Sequence, residues 1–188
     1  MIHKFKHPND YKPGEIIIPA EDIDGRIKEL AQKIARDFAG KQVLVVGLLT
    51  GAAWFTVDLF SGLHGNGLTD AELAFMKVAS YPSGIISSHE PRIEYDLPVS
   101  PHARNILLVD DIADTGKSLF VVEKYLKSKD AKLVKSVVLL DKPSRREVVF
   151  KPDYVGFTIP NIWVQGRGMD SNGFGRGDPN IIKGPYTY

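Results

Sequence analysis

Three carboxylates, Asp110, Asp111 and Asp114, follow four apolar residues and run into Thr115-Gly116-Lys117-Ser118. The turn is suited to an anion: free backbone N–H groups from Ala113 to Ser118, a helix dipole and the Thr115 and Ser118 hydroxyls together make a phosphate cradle. Carboxylates beside an anion repel it unless they bind hydroxyls, a metal or a basic proton, so a bare phosphate is too simple a guest. A sugar phosphate with a divalent cation meets all three needs. Two generic motifs fail. A P-loop needs glycine five residues before Gly116, where this chain has Asp111. The triplet Asp114-Thr115-Gly116 also occurs in aspartic proteases, but that reading needs a second copy and an all-β chain. The plain structural alternative is an Asp-capped helix after a buried strand.

The elements that position this turn can be read from the pattern on either side. Residues 106–109 are continuous, short and β-rich, as in a strand buried on both faces of a parallel sheet. From Leu119 the period becomes helical, through Val122 and Leu126, so the turn lies at a strand's carboxyl end, where open α/β sheets bind ligands. Ile23, Ile27, Leu30, Ile34 and Phe38 mark a first helix that stops at Gly40. A buried strand is expected at 43–46 and a helix at 52–60, joined by Gly47-Leu48-Leu49-Thr50-Gly51, whose glycines would let backbone approach a ligand. Residues 73–80 predict another strand. Residues 81–101 are irregular, with Pro82, Pro91, Pro98 and Pro101, as in a surface loop or a hairpin with a poorly paired edge. A further buried strand, 134–140, ends in the basic cluster Lys142, Arg145 and Arg146, ordinarily a solvated loop. Gly173-x-Gly175-x-Gly177 follows no strand and opens no helix, so it is no dinucleotide fingerprint.

Composition sets outer bounds. The 188 residues suit one domain, 1–188, and carry a formal net charge of +1, so electrostatics provides no case for nucleic acid or an acidic membrane surface. Cysteine is absent, which removes disulfides, thiolate nucleophiles and Cys-ligated metals. The longest apolar run, 43–49, is far short of a membrane span, and 1–13 lacks a signal-peptide core. A cytoplasmic protein is the expectation.

The stretch 105–118 closely resembles the ribose-phosphate signature of the type I phosphoribosyltransferases, in its hypoxanthine-guanine form: four apolar residues, two acids, two apolar residues, Asp-Thr-Gly, and a hydroxyl two positions on. The resemblance runs over about residues 16–178 and is most specific in 105–118 and 142–170. It implies an α/β fold, a parallel sheet flanked by helices, with a small hood from the terminal segments. It implies transfer of 5-phosphoribose from 5-phosphoribosyl 1-pyrophosphate to a 6-oxopurine, with magnesium (Mg2+) as cofactor and a homodimer or homotetramer as the assembly. A xanthine-preferring enzyme and a non-catalytic ligand-sensing regulator of the same fold are the alternatives.

Residue by residue, the resemblance makes Asp114 the base at purine N7 and gives Asp110 and Asp111 the ribose hydroxyls. The 5-phosphate falls to residues 113–118. Leu49, Thr50 and Gly51 form a pyrophosphate loop with one cis peptide bond, and Arg176 contacts pyrophosphate. Thr50 departs from the pattern, which has a basic residue there. Lys142 donates to the purine's six-position oxygen, Trp163 stacks on the base and Val164 offers backbone groups to its edge. Asp170 matches a magnesium ligand near the base, with Asp110 and Asp111 as further metal candidates. Ser80 and Tyr81 lie at the root of a lid, 81–101.

Overall fold

Three apolar segments form the centre of the molecule because the runs 43–48, 106–109 and 136–141 are buried. In a computed structural model that describes residues 5–79 and 91–186, these are strands β2 (Val43–Leu49), β5 (Asn105–Ala113) and β6 (Leu133–Asp141). Along each of them alternate side chains enter opposite cores, as the two-residue period of a strand requires. Val43, Val45, Leu107, Val109, Val137 and Leu139 face one core, with Ile23, Ile27, Leu30 and Ile34 of α1 (Ala20–Asp37) and Phe55, Leu59 and Leu63 of α2 (Ala53–Gly65). Leu44, Val46, Ile106, Leu108 and Val138 face the other, covered by Leu119, Val122 and Leu126 of α3 (Lys117–Ser128). Helices thus cover both faces of the sheet.

Strands β3 (Glu72–Ala79), β4 (Arg92–Tyr95) and β7 (Tyr154–Thr158) complete a six-stranded sheet in the order β4-β3-β2-β5-β6-β7, parallel except where β4 runs against β3. Part of the expected irregular stretch 81–101 is therefore an edge strand. Chain order reverses between β2 and β5: the chain leaves β2 outward to β3 and returns on β2's other side as β5. Their carboxyl ends open the crevice in which such sheets bind ligands. A second, three-stranded antiparallel sheet of β1 (Ile16–Ile18), β9 (Ile181–Lys183) and β8 (Val164–Gln165) joins segments from both ends of the chain.

Two strands run further than the segments 43–46 and 106–109 expected of them. β2 continues to Leu49 because β3 stays beside it, pairing Leu49 with Lys77. β5 continues through both acids to Ala113 because β6 pairs with it as far as Asp141. Asp110 and Asp111 are consequently strand residues, held on a rigid element. Among the described residues, no helix is long and apolar enough to cross a membrane.

Candidate active site

At the end of β5, burial pushes Asp110 well above the usual carboxylate range, and the neighbouring Asp111 charge adds to the shift. Burial raises Asp111 as well, while a hydrogen bond from the Asp110 side chain, the Ile112 N–H and the Arg176 charge pull it back. The Ile112 N–H donates to Asp111 Oδ1 at 2.7 Å. The pair therefore holds a proton more readily than an isolated carboxylate. A neutral carboxyl beside an ionised one can both donate to and accept from a sugar's hydroxyls.

The two glycines of the 47–51 loop have different jobs. A Cβ on Gly47 would lie 2.6 Å from Thr56 Oγ1 and 2.8 Å from the Phe75 ring, so this glycine, inside β2, serves core packing and not ligand approach. Gly51 is different. A Cβ there would collide with the Asp111 carboxylate, which ties the β2 turn to the β5 acids across the crevice. The Leu49–Thr50 peptide is cis, and Thr50 is exposed.

After β5 the chain turns through Asp114-Thr115-Gly116 into α3. Gly116 has φ +81°, a conformation open to glycine and strained for other residues. The N–H groups of Thr115, Gly116 and Ser118 find no acceptor among the described residues, since the first helical bond is Phe120 N–H to Gly116 O at 3.0 Å. These are the free donors of a helix start, available to an anion. Lys117 pairs with Glu147 at 2.5 Å.

The basic cluster after β6 is not a solvated loop. Lys142 is 1% exposed, its N–H donates to Ala113 O at 3.0 Å, and its Nζ lies 3.6 Å from Asp114 Oδ2. Burial pushes this lysine down to about 8, against the opposing pull of Asp114. Arg145 Nε donates to Asp114 Oδ1 at 3.0 Å. Arg146 donates from Nη1 to Asp114 O at 2.7 Å and pairs through Nη2 with Asp141. Its Cδ lies 2.7 Å from where a Gly116 Cβ would be. Both arginines thus brace the Asp114–Gly116 turn into α3, a role that residue type and spacing do not reveal. The signal lay in their place just past the end of β6, but whether that end adjoins β5 is a matter of strand order.

A cavity of about 170 Å³ is lined by Asp111, Ile112, Asp114, Lys142, Trp163, Val164, Met169 and Asp170. It collects residues from three separate parts of the chain. Trp163 donates from Nε1 to Ser171 Oγ at 2.8 Å and meets Tyr186 edge-on, ring centres 5.3 Å apart at 87°. Val164 is held by β8 pairing with Lys183 of β9. Asp170 pairs with Arg176 Nη2 at 2.7 Å and accepts the Gly173 N–H at 2.6 Å. Among the described residues, no three His, Asp or Glu side chains stand close enough to hold a metal ion by themselves, so Asp110, Asp111 and Asp170 do not form an all-protein metal cage. Ser80 and Tyr81, and residues 82–90 of the expected lid, lie outside the described residues.

A largely parallel sheet with this crevice, an Asp-Thr-Gly turn with free N–H donors and a cavity walled by a lysine and an indole defines a class of protein. The chain belongs to the phosphoribosyl transferase domain family, whose model matches residues 19–172. It is 38% identical over 171 residues to the hypoxanthine-guanine phosphoribosyltransferase of Aquifex aeolicus, covering 90% of this chain and 94% of that one. Its fold is similar to that of a hypoxanthine phosphoribosyltransferase from Staphylococcus aureus, with a TM-score of 0.83 and 35% identity over 93% of this chain and 92% of that one. It is also 39% identical over 156 residues to a bifunctional protein of Listeria innocua, matching 83% of this chain but spanning only 24% of that longer protein.

Proposed function

We propose that this protein is a hypoxanthine-guanine phosphoribosyltransferase of purine salvage. It moves 5-phosphoribose from 5-phosphoribosyl 1-pyrophosphate onto a ring nitrogen of hypoxanthine or guanine, giving IMP or GMP. The observation that carries this reading is the single cavity in which a buried lysine, an indole and a carboxylate adjoin the phosphate turn. In the reaction the bond from ribose C1 to pyrophosphate oxygen breaks, and pyrophosphate leaves with the electron pair. A purine nitrogen supplies the pair for the new C1–N bond. The purine's proton passes to Asp114, at N7. Trp163 stacks on the base, Lys142 donates to the six-position oxygen, and the N–H groups of 115–118 hold the 5-phosphate so that C1 meets the incoming nitrogen. The Asp110–Asp111 pair binds ribose hydroxyls and lies near the positive charge that develops on the sugar.

The donor set suits magnesium. Asp111 and Asp170 present hard carboxylate oxygens to one cavity, the ligand type that suits an ion which keeps several waters and is shared with substrate oxygens. Asp170 would hold it, with Asp110 and Asp111 the further candidates, and bound magnesium would neutralise charge on the leaving pyrophosphate. Arg176, beside Asp170, serves the same charge. The assembly we propose is a homodimer: α2 leaves Trp54 44% and Val57 49% exposed, an apolar face that a second copy would cover, and sedimentation at micromolar concentration tests it. A cytoplasmic location belongs to the same reading and rests on kinship alone.

Pyrophosphate release measured with hypoxanthine, guanine, xanthine and adenine in turn tests the function. Turnover with the first two is expected, and release with none of the four would sink it. Thr50 offers a narrower check. It is exposed at the end of β2, where the pattern this loop resembles has a basic residue, so Thr50→Lys should tighten product inhibition by pyrophosphate several-fold. An unchanged inhibition constant would mean that this side chain faces away from the leaving group.

A further inference from the structure

Gly166-Arg167-Gly168 leaves β8 and leads to Asp170, and it is wedged on both sides. Both glycines have φ +99°, and Arg167 between them has φ +48°, a left-handed conformation uncommon for a side-chain-bearing residue. A Cβ on Gly166 would collide with the Asn180 carbonyl, and one on Gly168 with the Gly51 carbonyl. The tripeptide therefore rests directly on the pyrophosphate turn. It is also stitched to the segment that carries Arg176. Arg167 N–H donates to Asp178 O at 2.7 Å, Gly168 N–H to Arg176 O at 2.9 Å, and Arg176 Nη1 to Gly168 O at 2.6 Å. Gly166 and Met169 exchange backbone hydrogen bonds, both 3.0 Å. Asp170, Arg176 and this wedge must move together.

The Arg167 side chain fastens that unit to the body of the protein. Its Nη2 lies 2.6 Å from Asp24 Oδ1 on α1 and 2.7 Å from Asp58 Oδ2 on α2. The side chain is 13% exposed, and its Nε is buried without an acceptor among the described residues. An unpaired buried donor opposes this placement, so the two carboxylates are what hold the guanidinium there. The helix that bears Asp58 starts at Ala53, two residues after Gly51. One nitrogen thus links the turn that receives pyrophosphate to the strand-end unit that presents Asp170. Arg167 itself does not line the cavity.

We propose that Arg167 is a positioning residue for the leaving-group side of the reaction, fixing the distance between the Gly51 turn and the Asp170–Arg176 pair by clamping their common support to α1 and α2. The inference rests on the pyrophosphate and magnesium reading above. It has a selective consequence. Val164 precedes the wedge and is held by β8–β9 pairing, and the Trp163 carbonyl accepts the Gly184 N–H at 2.9 Å, so the base side keeps these supports when the clamp is lost, with the bond from the Trp163 ring to Ser171 its tie to the far side of the wedge. Misplacing a binding group by about 1 Å can cost up to about a hundredfold. Arg167→Ala is expected to raise the KM for 5-phosphoribosyl 1-pyrophosphate and the half-saturating magnesium concentration by about tenfold each. The KM for hypoxanthine should change less than about twofold, because Trp163 and Val164 keep their backbone supports on β9 and the residue after it. Arg167→Lys, which keeps the charge but loses the planar fork, should fall between.

The test pairs these kinetics with calorimetric binding of inorganic pyrophosphate in magnesium buffer, which requires no turnover, and with Tm. Pyrophosphate should bind Arg167→Ala about tenfold more weakly than wild type. Asp58→Asn should show a milder form of the same pattern and add nothing in the Arg167→Ala background, as expected if both act through one contact. The Asp24→Asn and Asp58→Asn variants, altered at half-exposed carboxylates, carry the test if Arg167→Ala does not fold. A lowered Tm with unchanged pyrophosphate affinity, or an equal rise in both KM values, would overturn the clamp. Wild type that neither releases nor binds pyrophosphate would instead overturn the functional reading beneath it.

Discussion

Asp114→Asn is expected to lower kcat by about a hundredfold or more, the usual scale for a lost general base, with little change in the KM for 5-phosphoribosyl 1-pyrophosphate. The substitution preserves shape and removes the ability to take a proton together with the negative charge. The setting makes it a clean test. Arg145 Nε at 3.0 Å and Lys142 Nζ at 3.6 Å converge on the two carboxylate oxygens, so the side chain's aim is set by its neighbours. An amide in its place keeps an oxygen acceptor for one of them. The phosphate turn is braced separately, by Arg146 on the Asp114 carbonyl, which the mutation does not touch. Removing the Asp114 charge also takes away the main influence that opposes burial at Lys142. The comparison therefore belongs at or below neutral pH, where that lysine stays charged. Near-normal turnover under saturating substrates would remove Asp114 from the base role.

Lys142→Ala should reduce the ratio of kcat/KM for hypoxanthine to that for adenine by roughly tenfold to a hundredfold, the range expected for a hydrogen bond to a charged donor. An ammonium has three donors and no acceptor. It satisfies a six-position oxygen and meets adenine's amino group donor to donor. At 1% exposure, water cannot relieve that mismatch, and a desolvated site rejects the wrong partner strongly. Trp163→Ala, by contrast, should weaken all bases together, since stacking accepts any purine. Proton linkage adds a second handle. Burial lowers Lys142 from its ordinary 10.5 to about 8, so the ammonium is lost as pH rises through about 8 and kcat/KM for hypoxanthine should fall there. Between about 8 and 10.5 the unfolded chain binds the proton that the folded chain has released, so at this group rising pH favours folding. A falling rate with an undiminished Tm over that range is the expected signature. A ratio unchanged by Lys142→Ala, or a flat pH profile, would make this lysine a structural residue.

How much of this was legible beforehand depends on the distance in sequence over which each cause acts. The apolar run of β5, the change to helical period at Leu119 and the amphipathic face of α1 are local patterns, and each element lies within a few residues of where those patterns place it. Gly116 at φ +81° is local too, a turn that needs glycine. The residues later found in the cavity, Asp114, Lys142, Trp163, Val164 and Asp170, were marked by resemblance of motif, which carries roles across without geometry.

The tertiary structure decided what burial and adjacency determine. Gly47 and Gly51 look equivalent in sequence, yet one lies against the buried Thr56 and the half-buried Phe75 ring and the other faces Asp111 across the crevice, because Gly47 is inside β2 and Gly51 lies past its carboxyl end. Residue type alone makes the cluster of Lys142 and Arg146 an ordinary solvated loop, and resemblance singles out Lys142 but not Arg146; only β6 laid beside β5 brings both onto Asp114 and the Gly116 turn. Arg167 could not be singled out at all, since its partners Asp24 and Asp58 lie 143 and 109 residues away along the chain. Period and propensity are properties of neighbours in sequence and can be read there. Desolvation and charge pairing depend on neighbours in space, which in this protein are set by the order in which six strands are laid side by side.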